Sequence, residues 1–173
     1  MRYTLCAALL LALAGPVHAD NPLGGLTSKV GGKAAEAANA TVVKKINAKL
    51  LDEGRKNQCS FKSDSDVLEP GCDAKAKKLA NVLIDMKKQL AASGTTGYHF
   101  VVSGHTDSSG KADHNLELSK KRAAVMVREL VARGVPKADI IAVGMGSKNM
   151  LVKPDDTAAK KAKNRRYEIQ VEL

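Results

Sequence analysis

A polar run, Gly104-His105-Thr106-Asp107-Ser108-Ser109-Gly110, follows a β-rich apolar stretch, and Arg122 stands fifteen residues beyond Asp107. Loops at strand ends are where ligand groups gather, so a loop carboxylate and a helix guanidinium can face one cleft. The same two groups can instead neutralise each other as a salt bridge, and spacing alone leaves both readings open. Other chemistries fit less well. Ser103, His105 and Asp107 contain the residue types of a hydrolytic triad, but there is no GxSxG run and no nucleophile elbow. Successive residues on one strand also point to opposite faces. His105, Asp107 and His114 match no established zinc spacing. Gly144-Met145-Gly146-Ser147 lacks the Lys-Ser/Thr ending of a phosphate loop and reads as a turn between strands. No catalytic residue, metal site or cofactor is expected.

The elements that must position these residues alternate. Phe61 to Ser63 is a short strand candidate, and Pro70-Gly71 marks a turn. Asp73 to Ala92 reads as a helix, with Leu79, Leu83, Met86 and Leu90 at helical spacing and Asp73 as its N-cap. Tyr98 to Ser103 reads as a strand. Asn115 to Arg133 is a second helix, with Leu116, Ala123, Val127 and Leu130 on one face. Ile140 to Val143 is a short strand, and a short helix is expected around Ala158 to Ala162. Tyr167, Ile169, Val171 and Leu173 alternate with polar residues as a half-buried strand. The order β-α-β-α-β-(α)-β implies an α/β (α+β) two-layer sandwich, with helices on one face of a mixed sheet.

The N-terminus reads as an export signal. Arg2, the apolar run Leu5 to Ala14, the breakers Gly15-Pro16 and the small Ala19 predict cleavage before Asp20. The run is too short to span a bilayer. Cys6 would leave with the signal, so Cys59 and Cys72 remain as a pair in an exported chain, which favours a disulfide. Two cysteines with no nearby His make a poor metal site. Residues 20–57 form a Gly- and Ala-rich arm: Asp20 to Gly32 is expected to be flexible and Lys33 to Arg55 helical, with an apolar stripe of Val42, Val43, Ile46, Leu50 and Leu51. That stripe can pack on its own domain or on another envelope protein, or the arm can serve as a solvated tether. Too few residues lie between Asp20 and Gln58 for a transmembrane barrel, and the mature chain is expected to carry no transmembrane segment.

The formal charge is +10, spread over arm and domain, which points to an anionic partner. Five aromatic residues and no Trp make base stacking a poor binding mode, so no nucleic-acid partner is expected. A saccharide platform is disfavoured for the same reason.

Several ordered motifs then coincide. "SGHTDSSG", Asn115, "LSKKRAAVMVREL", Gly134-Val135, "VGMGS" and "NRRYEIQVEL" closely resemble the OmpA-like C-terminal (OmpA/MotB) domain family, and "FKSDSDVLEPG" resembles its first strand and turn. The resemblance covers about Gln58 to Leu173, with residues 1–19 as signal peptide and 20–57 outside it. It implies noncovalent peptidoglycan binding through the diaminopimelate of the stem peptide, in the periplasm or at the outer membrane. Asp107 would accept from the ligand's α-ammonium and Arg122 would hold its α-carboxylate, both charges sitting on one carbon. Thr106, Asn115 and Arg165 resemble supporting positions. Asn115 and Asn164 can equally brace loop backbone, and one of Arg165 and Arg166 can pair internally. Two departures stand out. Lys62 occupies a position that is acidic in many relatives, with Asp64 or Asp66 as possible compensation, and Tyr167 replaces a more usual aliphatic residue. The Cys59–Cys72 pair brackets the first-strand loop and is expected to stiffen that side of the cleft. The same fold can also serve as a protein-interaction module that does not bind the wall.

Overall fold

A computed structural model describes residues 24–173, with side chains from Ala37 onward. The expected export signal lies outside the described residues. Ala35 to Leu173 form one compact unit. The elements among the described residues are helix α1 (Gly24–Lys56), α2 (Cys72–Ala92), strand β1 (His99–His105), α3 (Ala112–Ala132), β2 (Ile140–Gly146), α4 (Ala158–Asn164) and β3 (Tyr167–Glu172), with a 3-10 turn at Lys137–Asp139.

The sheet is small and mixed. β1 lies in the middle, parallel to β2 and antiparallel to β3. The parallel pair needs a crossover, and α3 supplies it. Phe100 and Val102 on β1, with Val171 and Ile169 opposite them on β3, face a core shared with Leu79, Leu83 and Leu90 of α2 and Met126 and Leu130 of α3. This is the two-layer arrangement that the alternating elements imply.

Four details differ from the expected elements. The first strand shrinks to a single bridge between Phe61 and Leu68, because the 59–72 segment folds back on itself through Lys62 N–H to Val67 O and Glu69 N–H to Ser60 O. Asp73 is not the N-cap of α2. The helix starts one residue earlier, after Gly71 in a left-handed conformation (φ 89°), and the Asp73 carboxylate pairs with Arg133 across 2.5 Å. Gly144 to Gly146 do not form a turn but complete β2, with an irregular register between Gly104 and His105. Steric need explains these glycines. A Cβ on Gly104 would collide with the Ser119 carbonyl, and one on Gly144 would lie 2.7 Å from the Leu116 carbonyl. α3 can therefore sit close enough to the sheet to set Arg122 beside the β1 loop. Helix α1, finally, begins at Gly24 instead of near Lys33. Once a helix is nucleated, each added residue gains one hydrogen bond, so it can run on through residues of low propensity.

The stripe on α1 packs on its own domain except at Leu51, which is exposed. Ile46 and Leu50 are 3% and 1% exposed within the core, and Val42 and Val43 pack against it. Polar ties fix the contact. The Asn47 amide donates to Val171 O at 3.1 Å and accepts from Val171 N–H at 2.7 Å. Gln58 repeats this with the Tyr167 backbone at 2.7 and 3.3 Å. Two side-chain amides thus satisfy backbone groups on the outer edge of β3, where unpaired strand groups would invite association. Tyr167 uses its hydroxyl where an aliphatic residue could not: it donates to Asn57 O at 2.8 Å and accepts from Cys59 N–H at 3.3 Å.

Candidate functional site

The polar run and Arg122 do meet in one cleft, but not as a pair. Asp107 is 8% exposed. Its carboxylate accepts from Arg165 Nη1 at 2.8 Å on one oxygen and from Ser109 N–H at 2.9 Å on the other. Burial alone would raise its pKa. The donated hydrogen bonds from Arg165 and Ser109 outweigh burial and hold it below the ordinary value. Asp107 is therefore a fixed anion at neutral pH.

Arg122, on α3, is 7% exposed and is held by backbone carbonyls. Nε donates to Ser65 O at 2.8 Å and Nη2 to Lys62 O at 3.2 Å, and the guanidinium lies 5.2 Å from the centre of the Phe61 ring. Burial lowers its pKa most, the neighbouring Arg165 lowers it further, and Asp64, Asp107 and Asp66 oppose them. Among the described residues no carboxylate forms a salt bridge with it; Asp107 instead pairs with Arg165. A buried cation of this kind favours an added anion.

The first-strand segment earns its place by supplying those two carbonyls. Cys59 and Cys72 are bonded, with Cα atoms 5.1 Å apart, and so close the loop that carries Phe61, Lys62 and Ser65. Lys62 contributes its carbonyl while the residue itself is exposed. Of the two acids considered beside it, Asp64 lines the cleft, and its carboxylate lies 2.6 Å from His114 Nε2 of α3.

The remaining expected residues divide by role. Asn115 braces the loop: its amide donates to Ser109 O at 2.8 Å and Asp107 O at 3.4 Å. Thr106 is 3% exposed and lines the cleft; its N–H donates to Gly146 O, while its hydroxyl has no partner among the described residues. Arg165 carries the ion pair to Asp107 with its side chain 45% exposed. Arg166 is internally paired as well, bonded to Glu168 at 2.8 Å and to Asn149 O at 3.1 Å, so both arginines pair within the chain and not one alone. Ser103, His105 and Asp107 form no relay. Ser103 reaches only toward Glu168 O at 3.5 Å, and neither ring nitrogen of His105 has a hydrogen-bond partner among the described residues. Burial, then Arg166, lower the His105 pKa to about 4 against the opposing effect of Glu168, so the ring is neutral at pH 7. Among the described residues no cluster of three His, Cys, Asp or Glu side chains is placed to hold a metal.

One support had no signal in the sequence. Asp155 accepts from Ser108 N–H at 2.9 Å and from its hydroxyl at 2.5 Å, tying the 147–157 loop to the polar run. The bond from the hydroxyl, then that from the N–H, and one from Asn164 hold its pKa at about 2 against desolvation. Asn164, wholly buried, accepts from the Leu151 and Val152 N–H groups and donates to Val152 O and Asp155. Forty-seven residues separate Ser108 from Asp155, and no motif joins them.

Comparison with known proteins fits this geometry. The OmpA family model matches residues 60–165. The probable lipoprotein YiaD of Escherichia coli is 34% identical over 113 residues, covering 65% of this chain and 47% of that protein. The chain thus spans about half the length of that curated relative. The peptidoglycan-associated lipoprotein of Pseudomonas aeruginosa is 29% identical over 182 aligned positions, covering 98% of both chains. The crystal structure of the peptidoglycan-associated lipoprotein from Burkholderia pseudomallei superposes with a TM-score of 0.55 at 26% identity, covering 66% of this chain and 89% of that one. The chain belongs to the OmpA family.

Proposed function

We propose that this OmpA-family chain binds peptidoglycan noncovalently through the diaminopimelate of the stem peptide, and so tethers an envelope component to the wall. The observation that carries the reading is Arg122: a buried guanidinium anchored by carbonyls, with no carboxylate bonded to it among the described residues, in the same cleft as the buried Asp107. An amino-acid head offers the complementary charges. Its carboxylate meets the free donors of Arg122, and its ammonium meets Asp107. A carboxylate has about four acceptor sites, so Asp107 can take the ammonium while Arg165 and Ser109 stay bonded. Thr106 offers its unpartnered hydroxyl to the same ligand, and Asn115 and Arg165 act as positioning residues for Asp107.

Two kinds of observation support this reading: similarity to peptidoglycan-associated lipoproteins, and a cleft that holds a buried anion and a buried cation not bonded to each other. Export by residues 1–19 to the periplasm, with the 58–173 segment as the wall-binding part, belongs to the same proposal. It is tested by pull-down on purified sacculi. Wild type should sediment with the wall, while Asp107→Ala and Arg122→Ala should remain in the supernatant with their folds intact. A folded wild type that stays in solution would reject wall binding in favour of a protein-interaction role.

A further inference from the structure

The cleft continues past the charged pair. Its volume is 1020 Å³, at the upper end of what encloses a drug-sized ligand, and far more than an amino-acid head fills. The added wall comes from α1, through Leu51, Gly54 and Arg55, with Leu151 and Lys163 also lining the cavity. These α1 residues precede the segment that matches the family model, which starts at residue 60.

Gly54 shows that this part of the cleft is open. The residue is buried, yet a Cβ built on it meets nothing within 4 Å. The space beside its backbone is therefore groove and not packed protein. Apolar surface flanks it: Leu51 is 37% exposed and Leu151 51%. Arg55 is exposed and forms no ion pair among the described residues; the nearby acids Asp52 and Glu53 are bonded to Lys56. A cation beside an open, partly apolar groove suits a carboxylate at the end of a short peptide.

We propose that Leu51, Gly54 and Arg55 form a second subsite, which takes a further carboxylate and adjoining chain of the same branched peptide whose head sits on Asp107 and Arg122. This rests on the wall-peptide reading above. The helix that closes the edge of β3 would then also extend the ligand site beyond the family's own segment.

The test compares two probes by calorimetry: free diaminopimelate and a tetrapeptide stem containing it. Wild type should bind the peptide more tightly than the free amino acid. Gly54→Phe fills the groove and should weaken the peptide about tenfold or more, while leaving free diaminopimelate unchanged. Retained binding of free diaminopimelate by Gly54→Phe is the control that its fold is intact. Gly54→Ala, which adds only a methyl group to open space, should match wild type. Arg55→Gln should weaken the peptide about threefold, as expected for a solvent-screened ion pair, again without affecting the free amino acid. Equal affinity of wild type for both probes, or unchanged peptide binding by Gly54→Phe and Arg55→Gln, would overturn the proposal. If wild type binds neither probe, the wall-peptide reading fails and the second subsite fails with it.

Discussion

The two walls of the cleft hold their charges by different means. Asp107 sits at the end of the central strand, inside a mesh of hydrogen bonds from the Arg165 side chain and the Ser109 N–H, with the Asn115 side chain bracing the loop and Asp155 and Asn164 behind it. Arg122 comes from a regular helix, but its partners are bare carbonyls on a loop with one isolated bridge and a disulfide. The anion is held by many polar bonds that depend on protonation. The cation is held by a covalent clasp that does not. Acid should therefore attack one wall and reductant the other.

The largest expected effect breaks the clasp. Replacing both cysteines, Cys59→Ser with Cys72→Ser, should cost about 3 kcal/mol in the chain-entropy picture of a loop this size. Amide exchange should rise at Lys62 and Glu69, whose N–H groups bond within that loop, and not at Ser108 or Leu151. Ligand affinity should fall as well. Undiminished affinity would show that the loop holds Arg122 without its crosslink.

The converse experiment is Asn164→Ala. It removes the partners of the half-buried Leu151 and Val152 N–H groups and of the Val152 carbonyl, at a cost of about 1–2 kcal/mol by thermal or urea unfolding. Exchange should then rise at Leu151, Val152 and Ser108 while Lys62 and Glu69 stay protected. If both loops loosen together in either variant, the walls are one unit and the contrast fails.

Acid should weaken the Asp107 side in two stages. The His105 pKa lies at about 4 in the fold, below its ordinary 6.5. Between these values the unfolded chain takes up a proton that the fold refuses, so stability falls as pH drops from 6.5 toward 4 and then levels. Asp155 behaves as a depressed carboxylate. Its contribution is full above 3.8 and is lost as pH falls toward about 2. His105→Gln should flatten the upper stage and Asp155→Asn the lower, as read from denaturation midpoints against pH. An unchanged profile in His105→Gln would mean that the buried ring does not report on this wall.

The smallest effect expected is at Phe61. Phe61→Leu keeps an apolar side chain and removes the ring face from Arg122, worth about 0.5–1 kcal/mol at a partly exposed site. Affinity should fall only a few-fold. A loss as large as that of Arg122→Ala would mean that the ring, and not the carbonyls, positions the guanidinium.

Much of this was legible beforehand where the cause is local. The apolar spacing of α2 and α3, the alternation of β3, the cysteine pair and the ordered motifs around Asp107 and Arg122 all lie in short stretches of chain. Each reflects a backbone period or a steric demand that neighbouring residues settle among themselves. Failures gathered where competing local forms have similar energies. The segment at Phe61 prefers a folded-back loop to a strand, and the start of α2 is fixed by a left-handed glycine instead of by Asp73.

The amino-acid sequence by itself determined which charges this protein carries into its cleft and which elements deliver them. Tertiary structure alone decided how those charges pair. Asp107 could have met Arg122 or Arg165, residues that lie 15 and 58 positions away, and nothing in either spacing ranks them. The choice follows from how close α3 lies to the glycines of the sheet, and from the loop carbonyls that hold Arg122. The same holds for α1. Its apolar stripe announced a buried face, but only packing could choose its own domain and thereby make the helix a wall of the cleft.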